Sequence, residues 1–188
     1  MEGKSYESRI KFIEGKNIIL RPVLKSDFSE MLIWMNDKEV LLGLTMFEPM
    51  SEKEEMEWIE NGTPGGNTIT LAIVLKDGTL VGTVGFHAIN WKNRTGVSGC
   101  CIRKEYWGKG YGPEAKMLML RYAFYDLNLR KIISEVYGSN QRSIRMQEKC
   151  GGILEGRLKE HVYINGQYVD QFVFGFFKKD YKNISLLS

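Results

Sequence analysis

Between Glu105 and Ala115 the chain reads EYWGKGYGPEA, which sets Gly108, Gly110 and Gly112 on alternate positions directly before Pro113 and a long apolar run. Such residues act through their backbone. The first amides of a helix lack intrahelical partners and carry the positive end of the helix dipole, so a glycine-rich turn into a helix can hold an oxyanion. Glycine lets those amides approach the anion without a Cβ in the way. Proline near the first helical position lacks only an N–H that the helix would not have used. The chemistry implied is the binding of a phosphate-bearing ligand; the alternative is a plain flexible turn into a helix. Two phosphate motifs are excluded. No Lys-Ser or Lys-Thr follows Gly112, as a P-loop requires, and glycines spaced two and two do not match G-x-G-x-x-G, so ATP and NAD are set aside.

The elements around this turn follow from periodicity. NIILRPV, residues 17–23, reads as a strand, and SDFSEMLIWMND as a helix capped by Ser26 or Asp27 with Phe28, Met31, Leu32 and Met35 on one side. SEKEEMEWIE signals a second helix, with Ser51 and Glu54 at capping-box spacing. TITLAIVL and TLVGTVGFHAI form a hairpin through KDG, and TGVSGCCI, residues 95–102, is the next strand. After the glycines, residues 113–127 are apolar at nearly every position except Glu114, Lys116, Arg121 and Asp126, which predicts a helix covered on most sides. RKIISEVY is a strand, SNQRSIRMQEKC a helix capped by Ser139 or Asn140, and the remainder a hairpin turning at Asn165 and Gly166. The order β, α, α, β, β, β, α, β, α, β, β predicts an α/β fold: a mixed, mostly antiparallel sheet with helices on both faces. The crossover between residues 95 and 137 demands one parallel pair.

Composition agrees with one folded domain spanning residues 1–188, its core at about 17–181. Of 188 residues, 43% are hydrophobic and 26% charged, ordinary values for a globular chain. A net charge of +3 suits a phosphate ligand and falls short of a nucleic-acid footprint. Cys100, Cys101 and Cys150 are odd in number and in no metal spacing, which suits buried, reduced thiols. With no apolar signal core and no long apolar run, no membrane association is expected and a cytoplasmic location is.

The block YWGKGYGPEA, the apolar helix after it, LRKIISEVYGSNQRSIRMQEKCG and LEGRLKEHVYINGQYVD together resemble the GNAT superfamily of acetyl-CoA-dependent N-acetyltransferases, and within it the RimJ/RimL branch. The likeness runs from about residue 17 to 181. It implies a GNAT-like acyl-CoA N-acyltransferase fold with the parallel pair splayed at the cofactor site. It also implies that the pyrophosphate of acetyl-CoA sits on the amides of Trp107, Gly108, Lys109, Gly110, Tyr111 and Gly112. The pantetheine arm would pair with the backbone of Cys101 and Ile102, and Asn140 and Ser143 match the family's N-x-x-S. At Trp107 many members carry Arg or Gln; Lys109, Arg142 and Arg145 could supply charge instead. The partners implied are acetyl-CoA and an amine acceptor, either a protein or peptide N-terminal α-amine or a small amine such as a polyamine, amino sugar or aminoglycoside. A homodimer is compatible with the resemblance, and no metal is required.

Acetyl transfer needs a neutral amine and a tolerated thiolate. Many relatives use a carboxylate on the fourth strand and a tyrosine on the helix after the fifth, but residues 95–102 hold no carboxylate and the tyrosine position falls on Gln147. A thiol of pKa ~8.5 leaves without obligatory protonation, so Ser143 can serve as a modest donor. Candidate bases are Glu160, the choice here, with His161, His87 and Glu135. Trp34, Phe47, Trp58 and Tyr163 are candidate acceptor walls, and Asp170 a structural or specificity carboxylate. A non-catalytic acyl-CoA-binding module is the reading from a different class.

Overall fold

A computed structural model describes residues 10–44, 48–54, 57 and 66–181. The strands are β1 (Ile13–Glu14), β2 (Ile18–Pro22), β3 (Ile69–Leu75), β4 (Leu80–Asn90), β5 (Thr95–Ile102), β6 (Lys131–Tyr137), β7 (Ile153–Ile164) and β8 (Gln167–Phe177). The helices are α1 (Phe28–Met35), α2 (Lys38–Leu41), α3 (Tyr111–Arg121) and α4 (Gln141–Lys149), and α3 runs on into a π-helical turn at Tyr122–Asp126. One mixed sheet holds the strands in the order β1-β2-β3-β4-β5-β6-β8-β7. Both anticipated hairpins form. Asn165 and Gly166 both adopt positive φ, 49° and 81°, as a two-residue hairpin turn matching strand twist requires.

The parallel pair sets the shape of the molecule. β5 and β6 pair only at Thr95 with Lys131, Gly96 with Ile132 and Val97 with Ile133. Beyond these, each strand stays with its outer neighbour: β5 pairs with β4 as far as Ile102 opposite Gly82, and β6 with β8 as far as Tyr137 opposite Gln171. The facing edges of residues 98–102 and 134–137 therefore diverge. Gly82 keeps β5 tight on β4 here, since a Cβ at that position would stand 2.1 Å from the Cys101 carbonyl oxygen.

Each face of the sheet buries its own core. On one, α3 packs Ala115, Leu118, Met119 and Leu120 against Ile18, Leu20, Ile73, Phe86, Ile132 and Phe176. On the other, Met31 and Trp34 of α1 and Val40 of α2 cover Ile19, Ala72, Val74, Leu80 and Cys101. The buried stripe of α1 is thus Met31 and Trp34 with Met35 packed beside them; of the side expected, Met31 and Met35 join it, Phe28 and Leu32 are half-buried, and Trp34 was not foreseen there. Asp27 stands before α1 without capping it: its carboxylate takes both Arg21 nitrogens, at 2.6 and 2.7 Å, and the Leu24 amide. Helix α2, capped by Asp37 through the Glu39 amide, was not anticipated. Ser51 and Glu54 do form their reciprocal capping box.

α3 begins at Tyr111, two residues earlier than its apolar run suggested, and two of its polar residues are buried rather than solvated. Glu114 accepts hydrogen bonds from the Asn17 amide at 2.8 Å, the Asn17 side chain at 2.9 Å and the Ile18 amide, which staples the start of β2 to the helix. Lys116, 2% exposed, donates to the hydroxyls of Ser98 and Ser134 and lies 4.4 Å from the centre of the Phe176 ring.

Burial lowers the Lys116 ammonium to about 8 from an ordinary 10.5. Between those values the unfolded chain holds the proton more tightly, so folding is penalised fully below pH 8 and progressively less as pH rises to 10.5. Lys116→Met is expected to be more stable than the parent at pH 7, by up to about 3 kcal/mol, with the advantage shrinking by pH 10. Paired denaturant titrations at the two pH values check this.

Candidate active site

Where β5 and β6 part, a cavity of about 770 Å³ opens. It is lined by Glu39, Val40 and Leu42 to Leu44 around the end of α2, Cys100 to Ile102 of β5, the turn into α3, one side of α4 from Gln141 to Lys149 and the hairpin tip at Ile164 and Asn165. The glycine turn forms one wall. Gly108 and Gly110 have φ of 76° and 87°, a region side chains rarely adopt, and a Cβ at either would meet nothing within 4 Å. The first helical bond runs from the Glu114 amide to the Gly110 carbonyl. Among the described residues the amides from Gly108 to Gly112 find no acceptor ahead of it, whereas that of Trp107 donates to Lys104. The set of free amides is thus shorter by one than the 107–112 run anticipated.

Side chains around the turn complete a basic wall. The Trp107 indole N–H donates to the Ile102 carbonyl at 2.6 Å, so one of the backbone groups expected to face a ligand already has a partner. The Arg142 guanidinium stacks on the Trp107 ring, 3.3 Å from its centre. Arg142, Arg145 and Lys149 of α4 all line the cavity; the carboxylate that lines it, Glu39, is paired with Lys104. Lys109 is not part of the lining, and its ammonium rests over the Tyr106 ring at 4.8 Å. A cavity with free amides and three cations suits an anionic ligand.

Asn140 and Ser143 also line the cavity. Asn140 caps α4 by accepting the Ser143 amide at 3.0 Å. Gln147, buried one turn further along, donates to the Ser143 hydroxyl at 3.3 Å, and its side-chain oxygen has no partner among the described residues. Because Ser143 is the acceptor in that bond, its hydrogen remains available to a ligand.

The base candidates separate. Glu160 sits in a bulge of the exposed edge strand β7 with φ of 48°; its amide donates to Asp170 and it does not line the cavity. His161 is exposed beside it. Asp170 serves that bulge: the Glu160 amide and Arg157 hold its carboxyl below the usual range. His87 and Glu135, which also lie outside the cavity lining, share one sheet face. His87 pairs with Val97 and Val97 with Ile133, so His87, Gly99 and Glu135 share the sheet face opposite α3. The His87 ring lies 3.9 Å from where a Gly99 Cβ would stand. Glu135 is exposed and accepts a hydrogen bond from Gln171 at 3.0 Å. Neither residue's spacing in the chain signals the shared face; the register of three strands creates it.

Of the anticipated acceptor walls, Trp34 is a core residue, 3% exposed, and Tyr163 is exposed, packed on Tyr168 with ring centres 5.1 Å apart. Phe47 and Trp58 lie outside the described residues. Burial pushes the thiols of Cys100 and Cys101 up to about 12, so neither is a nucleophile near neutral pH.

Residues 17–153 match the family described as an acetyltransferase (GNAT) domain. The chain belongs to this family. Among its relatives, the N-acetyltransferase YokL of Bacillus subtilis (strain 168) is 27% identical over 174 residues, 92% of this chain and 97% of YokL. Spermidine N(1)-acetyltransferase of Vibrio cholerae serotype O1 is 30% identical over 138 residues, 72% of this chain and 79% of that enzyme. The putative ribosomal N-acetyltransferase YdaF of B. subtilis is 29% identical over 58% of this chain and 60% of YdaF. A crystal structure of the V. cholerae spermidine N-acetyltransferase with CoA and spermine superposes with a TM-score of 0.84 at 25% identity, covering 89% of this chain and 99% of that one. As a GNAT enzyme, this protein is an acetyl-CoA-dependent N-acetyltransferase, and the GNAT fold anticipated from sequence is the one observed.

The glycine turn acts through main chain and conformation. Gly110→Val is therefore expected to weaken acetyl-CoA binding at least ~30-fold, since a β-branched residue at φ 87° must distort the turn. Lys109→Ala should change it less than ~3-fold. Calorimetric titration of both variants checks the order, and a larger loss in Lys109→Ala would contradict it.

Proposed function

We propose that the enzyme acetylates a primary amine of a small aliphatic polyamine by direct attack on acetyl-CoA in a ternary complex. The carrying observation is Glu135, an exposed carboxylate with no Lys or Arg partner among the described residues, at the level where the β5–β6 gap opens on the face away from α3. A carboxylate there suits a polycationic acceptor, either holding a second ammonium or taking the proton of the attacking amine with His87 nearby. The likeness to the spermidine enzyme supports the same acceptor class.

On the donor side, the amides of Gly108 to Gly112 would hold the diphosphate, with Arg142, Arg145 and Lys149 adding charge. The edge of β5 around Cys101 and Ile102, whose Ile102 carbonyl already accepts the Trp107 indole, would carry the pantetheine arm through its remaining backbone groups. Ser143, its hydrogen left free by Gln147, would donate to the sulfur. Direct transfer is supported by the Cys100 and Cys101 thiols, too protonated to form an acyl-enzyme. Glu135 and His87 replace Glu160 as the proposed acceptor-side groups.

A second reading keeps the donor and takes a protein or peptide N-terminal α-amine. It rests on the RimJ/RimL-like motif block and on the likeness to YdaF. Acidity of the acceptor separates the two: an α-amine titrates at ~7.7–8.0 and an alkyl amine of the lysine type at ~10.4.

Thiol release from acetyl-CoA is expected to be fastest with spermidine-class acceptors and to keep rising above pH 8. A profile that levels near pH 8 with N-terminal peptides as the best acceptors would favour the second reading. Glu135→Gln is expected to raise KM for a triamine about tenfold while leaving KM for acetyl-CoA and for a simple monoamine nearly unchanged. Equal effects on monoamine and triamine would assign Glu135 to proton transfer instead of cation binding. Mass spectrometry after mixing with acetyl-CoA alone should find no acetyl group on Cys100 or Cys101.

A further inference from the structure

Lys116 is a buried cation with no carboxylate beside it among the described residues. Its partners are two hydroxyls and an aromatic ring, Ser98, Ser134 and Phe176. A charge so placed needs an anion or a strong reason to tolerate its desolvation. The titratable groups that reach it electrostatically are Cys100 on β5 and Cys150 after α4, both held as neutral thiols by burial. No anion of the protein among the described residues answers it.

Its position suggests which anion does. Ser98 and Ser134 are the first residues of β5 and β6 beyond the last paired residues, Val97 and Ile133. They lie just beyond the narrow end of the gap whose wide end carries the glycine turn, Ser98 half-buried two residues inward of Cys100, the innermost lining residue on β5, and Ser134 buried; neither is itself part of the lining. A donor with its diphosphate on that turn and its arm in the gap directs its thioester end toward this narrow end, since the cavity lining on β5 reaches inward to Cys100. The hydroxyls are also arranged to release a hydrogen. Ser98 can donate to the Ile133 carbonyl at 3.1 Å, and Ser134 then donates to Ser98 across 2.7 Å. Lys116 donates to both oxygens, so Ser134 can turn its hydrogen to an incoming atom while Ser98 keeps its other bonds.

We infer that Lys116 is a positioning residue for the departing thiolate, acting through Ser98 and Ser134 to hold a polarised hydroxyl toward the sulfur. As the amine nitrogen bonds to the acetyl carbon, the C–S bond breaks and its electron pair stays on sulfur. The proton shed by the amine goes to the acceptor-side base or to water, and the thiolate, hydrogen-bonded by Ser134, gains the field of the ammonium. A cation that titrates at about 8 remains mostly charged at pH 7 and is matched to a leaving thiol of ~8.5. This supplies leaving-group stabilisation in a chain whose Gln147 occupies the position where relatives carry an acidic tyrosine.

The inference rests on acetyl-CoA being the donor, and its test separates the two. The thiol of CoA bound to the wild-type enzyme is titrated by thiolate absorbance, with desulfo-CoA as the reference ligand. The bound thiol is expected to ionise at least ~1 pH unit below free CoA, and Lys116→Met and Ser134→Ala to raise that value by a similar amount. Binding of desulfo-CoA, which has no sulfur to stabilise, should change less than ~2-fold in both variants. A wild-type bound thiol that titrates at or above the free value overturns the inference without any variant and leaves the donor assignment standing. So does an equal loss of CoA and desulfo-CoA binding in Lys116→Met. Failure of the wild type to bind CoA at all removes both.

Discussion

Three residue pairs hold β5 to β6, and the site depends on the ladder stopping there. Each strand is kept in place past that point by its outer neighbour, β4 or β8, so the gap is built by the sheet and not by loose ends. A diverging parallel pair leaves backbone donors and acceptors on two facing edges, and such groups require partners. A ligand with amides along its length can lie there as a strand would. The same divergence leaves the start of α3 exposed at the wide end, where free amides and the helix dipole favour an anion. One interruption in a hydrogen-bond ladder thus produces both a slot for a flexible arm and a seat for its phosphates.

The two-residue period of a strand then assigns the reactants to opposite faces. Ser98, Cys100 and Ile102 turn toward α3; Val97, Gly99 and Cys101 turn away, and Gly99 presents no side chain at the level of the gap. His87 and Glu135 flank that opening from neighbouring strands. In the proposed arrangement an amine would approach over Gly99 and the thiolate would depart toward α3 and α4, so nucleophile and leaving group would not compete for one space. On the proposed assignment the transferred carbon would lie between two protein faces, where orientation contributes most to rate. The buried cysteines fit this scheme as packing residues.

Local signals were the legible ones. The hairpin turns, the Asn140 cap, the Ser51–Glu54 box and the glycine turn each follow from a few adjacent residues, and each stands where those residues imply. Order and length of elements then fixed a mixed sheet with one crossover. Features that depend on register across strands were not legible. Nothing near His87 in the chain indicates Glu135, and Glu160, attractive beside His161, is drawn off by a bulge that Asp170 stabilises. Glu114 and Lys116 read as polar exceptions on an apolar helix; their burial depends on Asn17, just before β2, and on Ser98 and Ser134, contributed by two further strands. Periodicity locates a covered face but does not say which polar groups have partners beneath it.

Trp107 shows how such a partner can relocate a function. Where many GNAT members place Arg or Gln in the turn, this chain places an indole, which by itself would cost the site a polar side chain. The ring instead packs with the core on the α1 side, fixes its N–H on the Ile102 carbonyl and offers its face to Arg142. A guanidinium stacked on an indole keeps its charge and loses freedom, so its hydrogens point outward in a defined plane. Arg142 stands on the first turn of α4 beside the glycine turn, and the stack ties the two together. A ligand bridging the turn and α4 therefore meets a surface already joined before it arrives, which lowers the ordering cost of binding and accounts for a turn that can dispense with its own arginine.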